Sequence, residues 1–333
     1  MSILNLDVLY LIFKELQDCG PALYSCLLVN KTWCEMIIPI LWKNPWKLIN
    51  KGKEQLFLNV IISHLSDESK DNLNNQGMKI SYQRPLFDYI SFCKHLNLKD
   101  VVNLIGYPDV PIFKKEMLKL FINSNAKFTH LYIPHEFYQL NLILKAKRCF
   151  SELKAFSYNN LEFLPFTSIH KLEMIDLIKN ASRYLTEVEI NNELYDDQMV
   201  IRSIYQNCPN LKYVKLIIKS NGFLELEKLL TNCQYLDTLG IYDNNCWINI
   251  NWKYLFKILA NSSPTSLFKF KFIFYKPPKL EHLKLFFDNW KNRNPMHPIR
   301  LHVNCRNWNF GNFIELVDFV DKYKKTRIVK KLI

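Results

Sequence analysis

Within the first 46 residues, the apolar positions near the N-terminus form one broad stripe. The stripe has the spacing of an amphipathic helix, with Val8, Ile12 and Leu16 at i, i+4 and i+8 and with Leu9 and Phe13 beside them. Asn5 can cap the start of this helix, and Gly20-Pro21 predicts where the first helical unit ends. So small a unit cannot bury all of its apolar surface, and we expect it to bind a partner.

A second pattern organises the rest of the chain, in which apolar residues follow the form apolar-x-x-apolar-x-apolar. Seven copies begin at Phe128, Leu153, Leu185, Leu211, Leu236, Leu267 and Met296. Each copy predicts a short strand, and helices are predicted after several of them, over 196–207, 222–232, 251–260, 279–291 and 311–323. One strand plus one helix at this period indicates stacked repeats, because a single repeat cannot bury its own apolar face.

The N-terminal residues resemble an F-box. That family begins with a Leu-Pro-x-Glu-Ile-Leu-like segment, continues with an Ile-Phe pair and a Leu, and ends with Val-x-x-x-Trp and Leu-Trp. Asn5 stands where the family usually has Pro, which changes little because either residue suits a helix start. The matching positions in this chain are Leu4, Asp7-Val8-Leu9, Ile12-Phe13, Leu16, Val29, Trp33 and Leu41-Trp42.

This resemblance implies docking onto the Skp-type adaptor of an SCF (cullin–RING) ubiquitin ligase. The residues then expected to bind the adaptor are Leu4, Val8, Leu9, Ile12, Phe13, Leu16, Leu27, Val29, Trp33 and Trp42. An ordinary three-helix cap that uses the same residues for its own core is the alternative.

The repeats resemble degenerate leucine-rich repeats. Asn207-Cys208-Pro209-Asn210-Leu211 and Asn232-Cys233-Gln234-Tyr235-Leu236 are similar to the start of cysteine-containing repeats, although aromatic residues replace several motif leucines. The alternative is an ordinary α/β domain with coincidental spacing. The expected fold is α/β, with an F-box over 1–46, a helical spacer and cap over 47–127, a solenoid of parallel strands and outer helices over 128–323, and a basic tail over 324–333. Within the spacer, 85–105 and 112–122 are predicted as helices.

Composition is typical of a soluble intracellular chain, so we expect it in the cytoplasm, the nucleus or both. Apolar residues make up 49% of the sequence, yet no run approaches the ~20 needed to span a bilayer, and no membrane partner is expected. The N-terminus lacks the pattern of a secretory signal. Nine scattered cysteines without a CxxC pair favour reduced thiols over a disulfide framework.

Positive charge is abundant but dispersed, with a net charge of +13 and lysine far outnumbering arginine. Dispersed lysine affects solubility more than it indicates nucleic-acid recognition, so nucleic acid is not the partner we expect. In the strands, residues that alternate with the core positions should share one face. Basic and tyrosine side chains there form a predicted binding surface for an acidic or phosphorylated segment of a substrate protein: Tyr213, Lys215, Tyr242, Lys269, Lys271 and Arg300.

No pattern in the sequence predicts catalysis. Motifs of the GxGxxG, P-loop, HExxH and GxSxG types are missing from the 333 residues, and only seven are glycine. Cys93-x-His95 and the group of His297, His302 and Cys305 are the best metal candidates, but both are too sparse to predict a zinc site. We therefore expect neither enzyme activity, nor a cofactor, nor a metal.

Two alternatives to a ligase adaptor stay open. The chain could be a basic α/β scaffold that binds nucleic acid, in which case affinity would fall steeply with salt. It could also be an F-box protein that acts outside a ligase.

Overall fold

The computed structural model describes residues 5–49, 52–75, 84–105, 111–123, 125–134, 146–160, 168–192, 198–219, 222–242, 250–274, 278–305 and 310–332. The chain divides into two compact units, one made of residues 1–133 and 137–151 and the other of residues 134–136 and 152–333.

The first unit is mostly helical and carries one pair of strands. Its helices are α1 Leu6–Glu15, α2 Gly20–Leu27, α3 Lys31–Trp42, α4 Glu54–Ile62, α5 Asp67–Asn74, α6 Leu98–Ile105 and α7 Pro111–Phe121. Its strands are β1 His95–Asn97 and β2 His130–Ile133, which pair in parallel. Short 3-10 turns cover 16–18, 45–48, 89–92 and 147–150.

Polar side chains fix where the first helices begin. Asn5 accepts a hydrogen bond from the backbone N–H of Asp7 at 3.0 Å, so its predicted capping role is confirmed. Asn30 caps α3 by accepting from the N–H of Trp33 at 2.9 Å. The first helical unit ends at Asp18, next to the predicted break at Gly20-Pro21, and this pair forms the first turn of α2, where a missing proline N–H costs nothing.

Aromatic rings build the core of the first unit. Trp42 stacks on Phe57 with ring centroids 5.5 Å apart and lies 4.7 Å from Tyr89. Trp46 packs against the edge of Phe57 and, at 5.6 Å, against Phe121. The C-terminal end of α3 is therefore joined to α4 and α7 through one aromatic cluster.

The second unit alternates strands and helices. Its strands are β3 Ala155–Asn160, β4 Glu187–Asn192, β5 Tyr213–Ile217, β6 Thr238–Tyr242, β7 Lys269–Phe274, β8 Ile299–Cys305 and β9 Val329–Leu332. Each pairs in parallel with the next along the chain. Its helices are α8 Ser168–Ala181, α9 Gln198–Asn207, α10 Phe223–Asn232, α11 Trp252–Ser262, α12 Leu280–Lys291 and α13 Phe310–Lys325.

The same hydrogen-bond arrangement recurs at the start of successive strands. The carbonyl of Lys154 accepts from the N–H groups of residues 186 and 187, and the carbonyl of Thr186 does the same for residues 212 and 213. The carbonyls of Lys212 and Asp237 continue the series. The motif positions that begin each copy, Leu211, Leu236 and Leu267, are fully buried. The α/β class with parallel strands is thereby confirmed, and all seven predicted strands form as β2 to β8.

A buried carboxylate ties two neighbouring helices of the second unit together. Glu225 on α10 is 2% exposed and accepts hydrogen bonds from Arg202 at 2.9 Å and Tyr205 at 2.8 Å, both on α9. Lys228 adds a third contact at 3.3 Å. These donors, Arg202 foremost, lower the pKa of Glu225 to about 2 despite its burial.

Two predicted segments differ from the structure. Residues 85–105, expected to be helical, contain a 3-10 turn and β1 before α6 begins at Leu98. Residues 324–333, expected to be a basic tail, include β9, which pairs with β8. The strand pairing satisfies backbone groups that a solvated helix end would leave to water, while Lys330 and Lys331 stay exposed.

Candidate functional site

Exposed apolar side chains are concentrated near the start of the first unit. Of the 19 large apolar side chains that are exposed in the described residues, eight lie between residues 6 and 29. They are Leu6, Val8, Tyr10, Leu11, Ile12, Tyr24, Leu28 and Val29, and we call them the N-terminal apolar set. Leu28 is 89% exposed and Leu11 is 58% exposed, so the burial of these side chains requires a second molecule or a further segment.

Helix α1 carries apolar side chains around most of its circumference, and only the side with Leu9 and Phe13 packs within the unit. Val8, Leu11 and Ile12, at i, i+3 and i+4, are exposed. Leu9 and Phe13 are buried, and the ring of Phe13 meets Trp33 edge-on with centroids 5.0 Å apart. Phe13 therefore joins α1 to α3, and the outward side of α1 is open.

The ten residues expected to bind an adaptor consequently separate into different environments. Val8, Ile12 and Val29 are exposed, and Leu16, Leu27 and Trp33 are partly buried. Leu9, Phe13 and Trp42 are buried in the core of the unit, together with residues such as Leu23 and Ile37, so they are not surface contacts. Leu4 lies outside the described residues.

The sequence prediction missed several members of the N-terminal apolar set. Leu6, Tyr10, Leu11, Tyr24 and Leu28 are exposed but were not selected, since the F-box pattern names other positions. The helical spacing of Leu11 with Val8 was the available signal.

In the second unit, the six residues expected to bind a substrate lie on one face of the sheet. Parallel register places Tyr213, Lys269 and Arg300 in one row across β5 to β8. Lys215 and Lys271 share the next row, and Tyr242 lies in the row after that. We call these six residues the basic sheet face.

The side chains of this face contact one another in a regular way. The ammonium of Lys215 lies 5.2 Å from the ring centroid of Tyr242, and that of Lys271 lies 5.0 Å from the ring centroid of Tyr213. Each lysine thus crosses to a tyrosine in a different row, and cation–π attraction holds both stems along the sheet. The guanidinium of Arg300 lies 5.9 Å from the ring of Phe268.

Gly240 makes the crossing of Lys215 possible. A Cβ atom at residue 240 would lie 2.8 Å from Cγ of Lys215 and 3.3 Å from its Cα. Any other residue would collide with the stem that runs over it, so glycine is needed here for close approach.

Charge changes sign across the sheet. Tyr213 donates its hydroxyl proton to Glu189, and the ammonium of Lys215 lies 3.8 Å from the same carboxylate. Burial and the hydrogen bond to Glu189 raise the pKa of Tyr213, which stays protonated. Lys269 pairs with Asp237 at 3.0 Å. The acidic side is thus at β4, and positive charge increases toward β8.

Buried cysteines of the repeats serve packing. Cys208 and Cys233 are fully buried, and burial raises the pKa of each to about 12. A thiol that stays protonated at neutral pH is a poor nucleophile and a poor metal ligand. Among the described residues, no group of three or more His, Cys, Asp or Glu side chains is arranged to hold a metal ion.

No family model matches the chain, and no curated protein matches it. The described residues also contain no helix that is both long and apolar enough to cross a membrane.

Two candidate surfaces therefore differ in chemistry. The N-terminal apolar set would gain free energy mainly by burial, at about 25 cal/mol per Å² of apolar area. The basic sheet face offers cations held on aromatic rings, which suits anionic groups on a partner.

Proposed function

We propose that this protein is a non-catalytic adaptor that docks through its N-terminal helices onto the Skp-type adaptor of an SCF ubiquitin ligase. The stacked strands and helices of the second unit, which we interpret as degenerate leucine-rich repeats, hold a substrate protein. Ubiquitin transfer to that substrate then follows from proximity, because a bound lysine meets the conjugating enzyme at high effective concentration.

The concentration of exposed apolar side chains between residues 6 and 29 is the observation that carries this proposal. A three-helix cap that served only its own unit would turn such residues inward, as it does Leu9 and Phe13. Because Val8, Leu11 and Ile12 form one exposed stripe on α1, they fit a partner that contributes an apolar groove or helix.

The basic sheet face supports the second half of the proposal. Six side chains from four strands share one face and carry three lysines and an arginine among tyrosines. An acidic or phosphorylated segment of a substrate could lie along the side nearer β8, where Lys271 and Arg300 are located. The carboxylates of Glu187 and Glu189 near β4 would exclude such a segment from the other side.

The test is co-expression with the Skp-type adaptor, followed by capture and quantitation of the bound adaptor. In the double variant Leu11→Asp/Leu28→Asp, both changed side chains are exposed, so the fold should survive. Loss of two buried leucines at a contact costs roughly 3–6 kcal/mol, which weakens binding by more than about a hundredfold.

Leu224→Asp is the matched control, because Leu224 is 61% exposed but belongs to α10 of the second unit. The control should bind the adaptor like the wild type. Failure of the wild-type chain to capture the adaptor would refute the proposal, and so would full capture by the folded double variant.

A cullin that co-purifies with the captured complex would separate a ligase component from an F-box protein that acts elsewhere. Binding of nucleic acid that weakens steeply with salt, together with no adaptor capture, would instead favour the basic scaffold.

A further inference from the structure

A cleft in the first unit combines basic and imidazole side chains that the proposed docking does not use. It has a volume of about 680 Å³. One side is formed by residues of the 3-10 turn after α1 and by residues of α2, including Asp18 and Tyr24. The other sides are formed by Lys43 and Lys47, which follow α3, and by residues of β1 and β2.

Positive charge exceeds negative charge around this cleft. Lys43 and Lys47 both line it, and among the described lining residues Asp18 alone carries a carboxylate. Asp18 lies 3.1 Å from the ammonium of Lys47, but both side chains are largely exposed, at 75% and 65%. An exposed pair of this kind contributes little stability, so the pairing is readily exchanged for another anion.

The strands contribute two histidines to the lining of the cleft. His95 and His130 are register partners on β1 and β2, and their rings stack with centroids 3.7 Å apart and planes 9° from parallel. Two charged imidazoles at this separation would repel each other strongly. The pair is therefore stable only while at least one ring is neutral or an anion compensates the charge.

Backbone contacts hold both histidines in place. Trp46 donates its indole N–H to the carbonyl of His95. The hydroxyl of Thr129 lies 3.2 Å from the carbonyl of Lys94 and 2.9 Å from Nδ1 of His130. The backbone N–H groups of Thr129 and His130 also donate to the carbonyl of Lys94, which fixes the start of β2 against the residue before β1.

We propose that this cleft is a binding site for a phosphate-class dianion, held by the ammonium groups of Lys43 and Lys47 and by protonation of the stacked His95–His130 pair. The dianion could be free or could be the terminal group of a small phosphomonoester, since the cleft exceeds the size of one phosphate. Tyr24 lines the cleft and offers an aromatic surface to the rest of such a molecule.

The electrostatics of the cleft support this assignment. Burial, and then the charges of His130, Lys43 and Lys47, lower the pKa of His95 to about 3. These charges repel a proton from His95 and would attract an anion for the same reason. A bound dianion would offset them and allow an imidazole of the pair to become a charged donor.

A dianion suits the cleft better than a single carboxylate. Two ammonium groups and one protonated imidazole present more charge than one carboxylate can compensate. A phosphoryl group instead provides three acceptor oxygens and close to two charges at neutral pH.

Inorganic phosphate, O-phospho-L-serine and sulfate are the probes, with binding measured by calorimetry on the full chain at constant ionic strength. Wild-type protein should bind phosphate at one site. The double variant Lys43→Gln/Lys47→Gln should bind it at least about 10-fold more weakly. Lys31→Gln/Lys53→Gln, which removes the same charge from exposed positions outside the cleft, should bind like the wild type.

Sulfate isolates the role of the histidines, because it stays dianionic throughout the measured pH range. Its affinity should rise about threefold or more between pH 7.5 and 5.5, because a bound dianion would raise the low pKa of His95 and so couple binding to proton uptake. The other titratable side chains that line the cleft are Asp18, Tyr24, Lys43 and Lys47. In His95→Gln/His130→Gln the rise should disappear.

The two phosphate probes distinguish the source of the ligand. Tighter binding of phosphoserine than of phosphate supports a monoester, and equal binding supports a site for the phosphoryl group alone. The proposal is overturned if wild type binds neither probe, if both lysine double variants weaken binding equally, or if the pH dependence survives loss of both histidines. Adaptor capture by the Lys43→Gln/Lys47→Gln variant should be unchanged, so a failed phosphate-binding test can be distinguished from a failed test of the proposed docking.

Discussion

Replacement of Glu225 by glutamine should destabilise the second unit by an amount that depends on pH. The buried carboxylate is 2% exposed and accepts hydrogen bonds from Arg202 and Tyr205. Glutamine has nearly the same shape but no charge, so it resembles the protonated carboxyl. It also places an amide N–H₂ among groups that are themselves donors.

The magnitude follows from the pKa of Glu225, which falls from 4.5 to about 2 on folding, chiefly through the hydrogen bond from Arg202. At about 1.36 kcal/mol per pH unit, the charged form stabilises the native state by roughly 3.4 kcal/mol near pH 7. Because the native pKa is lower than the unfolded one, this contribution is complete above pH 4.5 and is lost as pH falls toward 2. Near pH 3 it should be only about 1.4 kcal/mol.

Urea unfolding of wild type and Glu225→Gln at pH 7 and pH 3 measures both quantities. The difference in unfolding free energy should be about 3 kcal/mol at pH 7 and should shrink by about 2 kcal/mol at pH 3. Glu281→Gln is the control, since Glu281 is 67% exposed and pairs with Lys279 at 3.7 Å, where an effect below about 1 kcal/mol is expected. A difference that is small at pH 7, or equal at both pH values, would refute the reasoning.

Two further predictions concern close packing in the second unit. Gly240→Ala should lower the unfolding free energy by about 1–3 kcal/mol, because the new Cβ collides with Lys215. The loss should be smaller in a Lys215→Ala background. A double-mutant cycle in which the two losses were equal would contradict this prediction. Among the described thiols, the exposed Cys19 should react with a thiol reagent at pH 8 in the native protein, whereas the buried Cys208 should react only after unfolding. Mass-spectrometric mapping that found both cysteines labelled at equal rates would contradict the burial of Cys208.

The repeating part of the fold was predictable because its signal occurs seven times. Each strand from β2 to β8 falls on a copy of the apolar motif, and α9 to α13 match the predicted helices to within two residues at each end. Strand β1 has three residues, too few for a periodic pattern, and its pairing with β2 decides its conformation. Strand β9 contains Lys330 and Lys331, whose charge indicated a solvated tail until pairing with β8 was known.

The candidate surfaces were predictable in part. The six residues of the basic sheet face were found because side chains alternate along a strand, so one correct register places them all. The orientation of α1 was not predictable from its apolar pattern, since seven of the eight residues from Leu6 to Phe13 are apolar and the predicted stripe of Val8, Ile12 and Leu16 is not the side that is buried. The His95–His130 stack requires both the existence of β1 and its register, and the sequence indicated neither.

Ionic strength should separate the two kinds of recognition that we propose for this chain. The exposed side of α1 presents Val8, Leu11 and Ile12, and burial of such groups depends weakly on salt at physiological concentrations. The cleft and the basic sheet face instead rely on Lys43, Lys47 and Lys271, whose attraction for anions falls as the Debye length shortens from about 10 Å at 0.1 M to about 3 Å at 1 M. Docking to an adaptor should thus persist in high salt while anionic ligands are released. If adaptor binding and anion binding were both lost as the salt concentration rises, the N-terminal helices would not be an apolar docking surface.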